Sequence, residues 1–263
     1  MTLRALEVLK AVDVIAAEDT RHTSGLLSHY AIRKKLMAVH EHNEHQSAAQ
    51  IVSRLLAGES VALVTDAGTP GISDPGAVVV DIVREAGLPV VPVPGASAVV
   101  TAMSAAGIRQ GGFSFIGFLP ASGSQRRKVL ESLKANAITL VFYEAPHRVV
   151  ESVADMAAIL GQERRITIAR ELTKSFETFH RCPLAEAVAW LQADPNQQRG
   201  EFVLLVEPLP VVEASEISEE DERVLKLLMA ELPLKQAVKL ATDITGAKKN
   251  ALYEHGLKIK ESL

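Results

Sequence analysis

The chain has 263 residues, a formal net charge of −4 and 48% hydrophobic residues: enough apolar content for a full core, and too little positive charge for a global nucleic-acid-binding field. Its single cysteine, Cys182, excludes an intramolecular disulfide and a cysteine-built zinc cage, which suits the reducing cytoplasm. The uncharged stretch 88–108 could span a bilayer by length, but Pro89, Pro92, Pro94, Gly95 and Gly107 break it, and the N-terminal MTLRALEVLKAVD does not read as a signal peptide.

In chain order, Leu3, Leu6 and Leu9 are spaced for one face of an opening helix. A strand is predicted over 12–16, running into Glu18-Asp19-Thr20-Arg21-His22, and a second over 36–39, running into His40-Glu41-His42-Asn43. A helix over 47–57 stops at Gly58, and a third strand over 61–64 ends abruptly in VTDAGTPGISDPG (64–76). A helix over 78–86 stops at Gly87, and a strand over 90–93 leads to Pro94-Gly95-Ala96-Ser97. Strands follow at 113–118, at 139–143 before Glu144-Ala145-Pro146-His147-Arg148, and at 166–169 before Arg170-Glu171-Leu172-Thr173-Lys174. A helix is predicted over 149–160, and strands over 176–180 and 202–206. This alternation predicts an α/β fold, with a mixed sheet in the second half.

After Glu207 the texture changes. The segment 208–217 is proline-containing, acidic and without period, which reads as a linker. Ser218 and Asp221 then resemble a helix cap, Pro233 restarts the chain into a second helix, and Gly246 turns it into a third. Three short helices of this kind, with six lysines against three acids between Pro233 and Leu263, resemble a basic helix-turn-helix module.

The polar and conformationally special residues therefore gather at the carboxyl ends of the strands, the edge where open α/β sheets bind ligands. A metal is not expected: Asp66 and Asp74 are the obvious ligands, but Asp74, before Pro75 at a helix start, reads by default as a cap. Gly68-Thr69-Pro70-Gly71 matches neither a dinucleotide nor a Walker phosphate loop, and no nucleophile elbow is present. What remains is a pocket built by backbone. Gly68 and Gly71 allow close approach, Pro70, Pro75 and Pro94 fix the loops, and Ala67, Ala96, Ser97 and Ala98 leave room for a neutral or zwitterionic cofactor.

The 64–76 loop, together with AAEDTRHT (16–23), VPGASA (93–98), GFLP (117–120), FYEAPHR (142–148), ARELTK (169–174) and ELPLKQAVKLA…GAKKNALY, closely resembles the ribosomal RNA small subunit methyltransferase I family of the tetrapyrrole methylase superfamily. The resemblance implies a two-lobed tetrapyrrole-methylase-like α/β fold, with lobes at 1–110 and 111–207, a linker at 208–217 and a small all-α helix-turn-helix domain at 218–263. It implies S-adenosylmethionine (SAM) in the cleft, a homodimer, and 2′-O-methylation of a cytidine in the decoding region of small-subunit (16S) ribosomal RNA. Carried over by motif, the cofactor contacts are Ala67, Gly68, Thr69, Ile72, Ser97, Ala98, Glu144 and Leu172. Members of that family begin with a strand and a Pro-Thr-Pro-x-Gly-Asn-Leu loop, whereas the resemblance here starts at about residue 2. Lower stability or SAM affinity is expected of this chain than of one carrying those upstream residues.

A ribose hydroxyl is a weak nucleophile until its proton is drawn away. Glu18, Asp19, His42, Glu171 and Lys174 stand at the cleft edge, and Glu171 and Lys174 are the leading catalytic candidates. Arg21, Arg148 and Arg170 suit RNA phosphates; so do Arg126, Arg127 and Lys128, which open a helix against its dipole, and Lys248 and Lys249 in the basic tail. The expected partner is ribosomal RNA or the assembled small subunit, with neither DNA nor a membrane. Two rivals are a methylase acting on a small tetrapyrrole, which would have no need of the basic tail, and a non-catalytic RNA-binding protein.

Overall fold

The computed structural model describes residues 1–109, 111–209 and 217–261. Among these the chain forms two compact units, Met1–Pro208 and Leu209–Leu263. Most of the expected linker, 210–216, lies outside the described residues.

The first unit opens with α1 (Leu3–Ala11), capped by the Thr2 hydroxyl, which accepts the Ala5 N–H. β1 (Val14–Ala17), α2 (Thr20–His29), β2 (Lys35–Ala38), α3 (Glu44–Leu56), β3 (Val61–Val64) and α4 (Ala77–Glu85) follow. The three strands form a parallel sheet in the order β2-β1-β3. Alternation along the central β1 sends Ile15 into a cluster with Leu9 and Leu27 of α1 and α2, and Ala16 into one with Ile51, Val79 and Val83 of α3 and α4. All four β1 residues are buried, as a parallel strand covered on both faces should be.

After α5 (Ala98–Ala105) the chain enters a second sheet. Its elements are β4 (Phe113–Phe118), α6 (Gly123–Leu133), β5 (Thr139–Glu144), α7 (Val149–Leu160), β6 (Arg165–Arg170), β7 (Thr178–Pro183), α8 (Leu184–Ala193) and β8 (Phe202–Val206). The order is β4-β5-β8-β6-β7, parallel between β4 and β5 and antiparallel elsewhere, so the sheet is mixed. One face packs on α6, α7 and α8 through Leu130, Phe142, Met156 and Leu191. The other face takes Val99 and Ala102 of α5 against Val141, Ala169, Val203 and Leu205. The helix that leaves the first sheet thus packs on the second, and the crossing falls at 94–97.

The second unit holds α9 (Glu219–Glu231), α10 (Leu234–Thr245) and α11 (Lys249–Glu261) around Leu225, Ala237, Val238, Ala241 and Leu252. Ser218 and Asp221 form a reciprocal capping box on α9, and Gly246 ends α10 in the left-handed region at φ +75°.

The stretch 90–93 forms no strand. Pro89, Pro92 and Pro94 supply no N–H to a ladder, Val91 is 65% exposed, and the outer edge of β3 has no strand partner among the described residues. Between that edge and 93–96 lies a groove of about 260 Å³, lined by Thr2, Ala5 and Leu9 of α1's side and by Leu63 and Val93 opposite. The strand predicted at 176–180 lies instead at Thr178–Pro183, because the preceding loop holds left-handed turns at Glu171 and Thr173.

Phe142 lies on β5, an interior strand of the second sheet, and is fully buried. Phe142→Ala is expected to cost about 3–5 kcal/mol of stability. The change is read by denaturant unfolding through the fluorescence of Trp190, the single tryptophan, which packs on the same cluster.

Candidate active site

The 64–76 loop is shaped by backbone. Gly68, Gly71, Ser73 and Gly76 all have positive φ, and the Gly71 N–H returns to the Pro75 carbonyl at 3.2 Å. At Gly76 the dihedral, φ +131°, favours glycine, and a Cβ would push Leu63 Cδ2, 2.9 Å away, aside. The Thr69 hydroxyl donates to the Ala96 carbonyl at 3.2 Å, tying this loop to the segment that starts α5. Ala67, Gly68, Thr69 and Ala98 are exposed, Ile72 is 43% exposed and Ser97 is half-buried. Leu172 packs against the α5 cluster with Tyr143 and Phe115. Seven of the eight expected cofactor residues are therefore exposed or half-buried.

Glu144 is the exception. Its side chain is fully buried, Oε1 accepts the Ala145 N–H at 2.8 Å and pairs with Arg148, and Oε2 accepts the Ser152 hydroxyl. Its carboxylate anchors the β5–α7 turn.

Three of the expected RNA-binding arginines also turn inward. Arg126 is 3% exposed; its Nε donates to Asp155 at 2.6 Å and its Nη2 lies 3.6 Å from Glu151, which joins α6 to α7. Arg148 donates to the Leu119 carbonyl and pairs with Glu144. Arg170 donates to the carbonyls of Asn196, Arg199 and Phe176 and to the Thr178 hydroxyl, clamping the loop after β6. Arg21, Arg127, Lys128, Lys248 and Lys249 are exposed; Arg21 pairs with Asp19 at 2.9 Å and Arg127 with Asp155 at 3.4 Å.

Glu171 and Lys174 form one network. Glu171 Oε1 accepts Lys174 Nζ at 2.8 Å and the Glu201 N–H at 3.0 Å, while Lys174 Nζ also reaches Glu201 Oε2 at 2.8 Å. A Cβ on Gly200 would fall 2.4 Å from Glu171 Cγ, so the carboxylate lies flat on the Gly200 backbone. The hydrogen bond from Lys174 lowers the Glu171 pKa, and the bonds to Glu171 and Glu201 raise that of Lys174. Both groups are driven away from neutrality, the wrong direction for a proton-transfer catalyst. Their geometry holds Glu171 at φ +53° and Thr173 at φ +64°, and so fixes Leu172 on α5. Asp19 is similarly committed: it caps α2, and the hydrogen bond from the Arg21 side chain holds its pKa at about 2.

Asp74 does not cap α4. Gly76 is the N-cap residue, and its N–H donates to Glu44 of α3 at 2.6 Å. The sequence also gave no prominence to Tyr143, whose ring meets Phe115 and Phe118 edge-on at 4.9 and 5.6 Å. The signal available was an aromatic at the carboxyl end of a strand that feeds the site. Among the described residues no histidine, cysteine and carboxylate cluster has the geometry to hold a metal, and no helix is long and apolar enough to cross a membrane.

The family model described as Tetrapyrrole (Corrin/Porphyrin) Methylases matches residues 1–188, and that described as RsmI C-terminal HTH domain matches 215–260. Ribosomal RNA small subunit methyltransferase I of Escherichia coli O157:H7 is 50% identical over 257 residues, covering 98% of this chain and 90% of that protein. The protein of the same name from Pseudomonas aeruginosa is 52% identical over 255 residues, covering 97% and 90%. The chain belongs to the ribosomal RNA small subunit methyltransferase I family.

Solved structures share the family's fold at low identity. Uroporphyrin-III C-methyltransferase from Thermus thermophilus, complexed with S-adenosylhomocysteine, superposes with a TM-score of 0.54 at 17% identity, over 80% of this chain and 91% of that one. Diphthine synthase does so at 0.56 and 13%, over 79% and 84%. The two-lobed α/β fold and the C-terminal helical module expected from the sequence are those of the family.

If Arg126 serves the family fold rather than RNA, Arg126→Ala should destabilise the first unit by about 3 kcal/mol, toward the low end for a broken buried pair because Arg127 stays near Asp155. Lys128→Ala should stay within about 0.5 kcal/mol of the parent. Unfolding followed by Trp190 fluorescence separates the two.

Proposed function

We propose that this protein is a SAM-dependent ribosomal RNA methyltransferase, transferring a methyl group to the 2′ hydroxyl of a cytidine ribose in the decoding region of small-subunit RNA. One observation carries the reading. A methylase-type α/β unit and a three-helix unit occur together in a chain that aligns over 98% of its length with a protein named as a small-subunit ribosomal RNA methyltransferase. The homodimer and the cytoplasmic setting enter from the same family likeness.

The residues present suit the cofactor. Ala67, Gly68, Thr69, Ile72, Ser97, Ala98 and Leu172 would hold it, largely through backbone and small side chains. Glu18, Asp66 and Asp74 gather beside the same loop, a negative surround that favours a sulfonium cation. When bound, SAM supplies an electrophilic methyl group and a good leaving group, so the protein's own work is to orient, exclude water and accept a proton. The Thr69–Ala96 hydrogen bond and the Glu171–Lys174–Glu201 network keep the two walls of the site in register before any ligand arrives.

RNA contact is assigned to exposed cations, Arg21, Arg127, Lys128, Lys248 and Lys249, of which the last two open α11 after the Gly246 turn. A small tetrapyrrole substrate would leave the lysine-bearing helices α10 and α11 without a role.

Incubation of the purified chain with SAM and small subunits lacking the modification, followed by nucleoside mass spectrometry, is expected to give 2′-O-methylcytidine. Methylation on a base, or transfer only to a tetrapyrrole, would overturn the reading. Lys249→Ala should weaken RNA binding across sequences and reduce the slope of log affinity against log salt by about 1.

A further inference from the structure

The alternation of β4 is broken once. Phe115 pairs with Val141 of β5, but Gly117 pairs with Phe142 and Phe118 with Tyr143, so Ile116 is an extra residue in the ladder and the strand carries a bulge. In a regular strand, residues 115 and 118 would point to opposite faces of the sheet. The bulge instead brings both rings beside Tyr143, with centroids at 4.9 and 5.6 Å, and Gly117 takes the bend at φ +78°.

The two rings have different surroundings. Phe115 packs into the α5 cluster, whereas Phe118, the last residue of the strand, is 53% exposed. A bulge that interrupts a ladder and turns a large apolar side chain toward water is not explained by packing. The backbone around it is firmly held. A Cβ on Gly117 would lie 3.0 Å from Ser73 Oγ, so β4 abuts the 64–76 loop at this point, and Arg148 donates to the carbonyl of Leu119, the next residue. Phe118 is thus an exposed ring on a fixed mount, beside the loop that the function proposed above gives to SAM. The next helix, α6, carries the exposed Arg127 and Lys128.

We propose that Phe118 is the stacking surface for a nucleobase of the RNA substrate. The inference rests on the function proposed in the preceding subsection. A ribose hydroxyl meets a methyl donor productively only when its nucleotide is held still, and an unstacked nucleotide has lost the base neighbours that would hold it. An aromatic side chain replaces those neighbours. The planes of Phe118 and Tyr143 meet at 63° rather than stacking, and the exposed Phe118 ring keeps a face for a base. Every base has a π-face, so this contact positions a nucleotide without reading sequence. The place of the ring beside the 64–76 loop, with cations on the following helix, favours a nucleotide over a second copy of this chain as its partner.

The test uses the full chain and small subunits lacking the modification. Phe118→Ala is expected to weaken their binding about 10-fold, and to keep the SAM dissociation constant from calorimetry within about threefold. The slope of log affinity against log salt should not change, because no phosphate contact is lost. Phe118→Trp should bind within about threefold of the parent, whereas Phe118→Leu, apolar but without an aromatic face, should bind as weakly as Phe118→Ala. The proposal is overturned by Phe118→Ala binding within threefold of the parent, or by full recovery in Phe118→Leu. A change of oligomeric state in Phe118→Ala, read by sedimentation, overturns it too, since the ring would then be a contact between copies of the chain. If the parent chain itself does not bind the subunits, the functional reading fails and this inference with it; parent binding shared by Phe118→Ala sinks the inference alone.

Discussion

A methyl group on residue 76 would collide with Leu63, and the amide of the same residue is held by Glu44. Most of the site's geometry follows from that double constraint. With Gly76 pinned between β3 and α3, the chain has only the 64–76 span in which to leave the sheet, turn back and start α4, and it does so through four residues in the left-handed region. Gly71 hydrogen-bonds Pro75, Thr69 reaches Ala96, and the small residues around Gly68 are left facing outward. The loop's shape is that of a chain with nowhere else to go.

The second wall is made differently. Leu172 sits on α5 because Glu171 and Thr173, either side of it, adopt conformations costly for non-glycine residues. That cost is met locally: Lys174 and the Glu201 N–H hold Glu171, Glu177 accepts the Thr173 N–H, and Arg170 clamps the loop with four hydrogen bonds. A charge network here therefore organises backbone, and its members are the least suited on this edge to exchanging protons.

Strands and helices were readable where periodicity is local. The runs 61–64, 113–118 and 202–206 form strands with those bounds, and the glycine and proline content of 64–76 announced a backbone-built loop before any coordinates. The run 90–93 has the composition of a strand, yet pairing needs a neighbour, and its prolines deny one. The destination of charge was not readable at all. Arg126 meets Asp155, 29 residues away, and the N–H of Gly76, where α4 starts, is taken by Glu44, 32 residues away, with no cap from Asp74. Sequence rules for caps and cationic patches describe a residue and its near neighbours, whereas burial of a guanidinium or transfer of a capping role is decided by what the fold brings alongside. The candidate site was thus legible as an edge and a loop, but not in the assignment of individual charges.

Among the described residues the outer edge of β3 has no strand partner, which carries a consequence for handling the protein. An apolar strand with free N–H and C=O groups is a template for edge-to-edge association between chains. Here Thr2, Ala5 and Leu9 on one side and Val93 on the other recess that edge within a groove, and the prolines opposite cannot extend a ladder. Shielding on one side therefore comes from α1, a helix of nine residues. Local opening of α1, well short of global unfolding, would bare that edge to pairing with another chain.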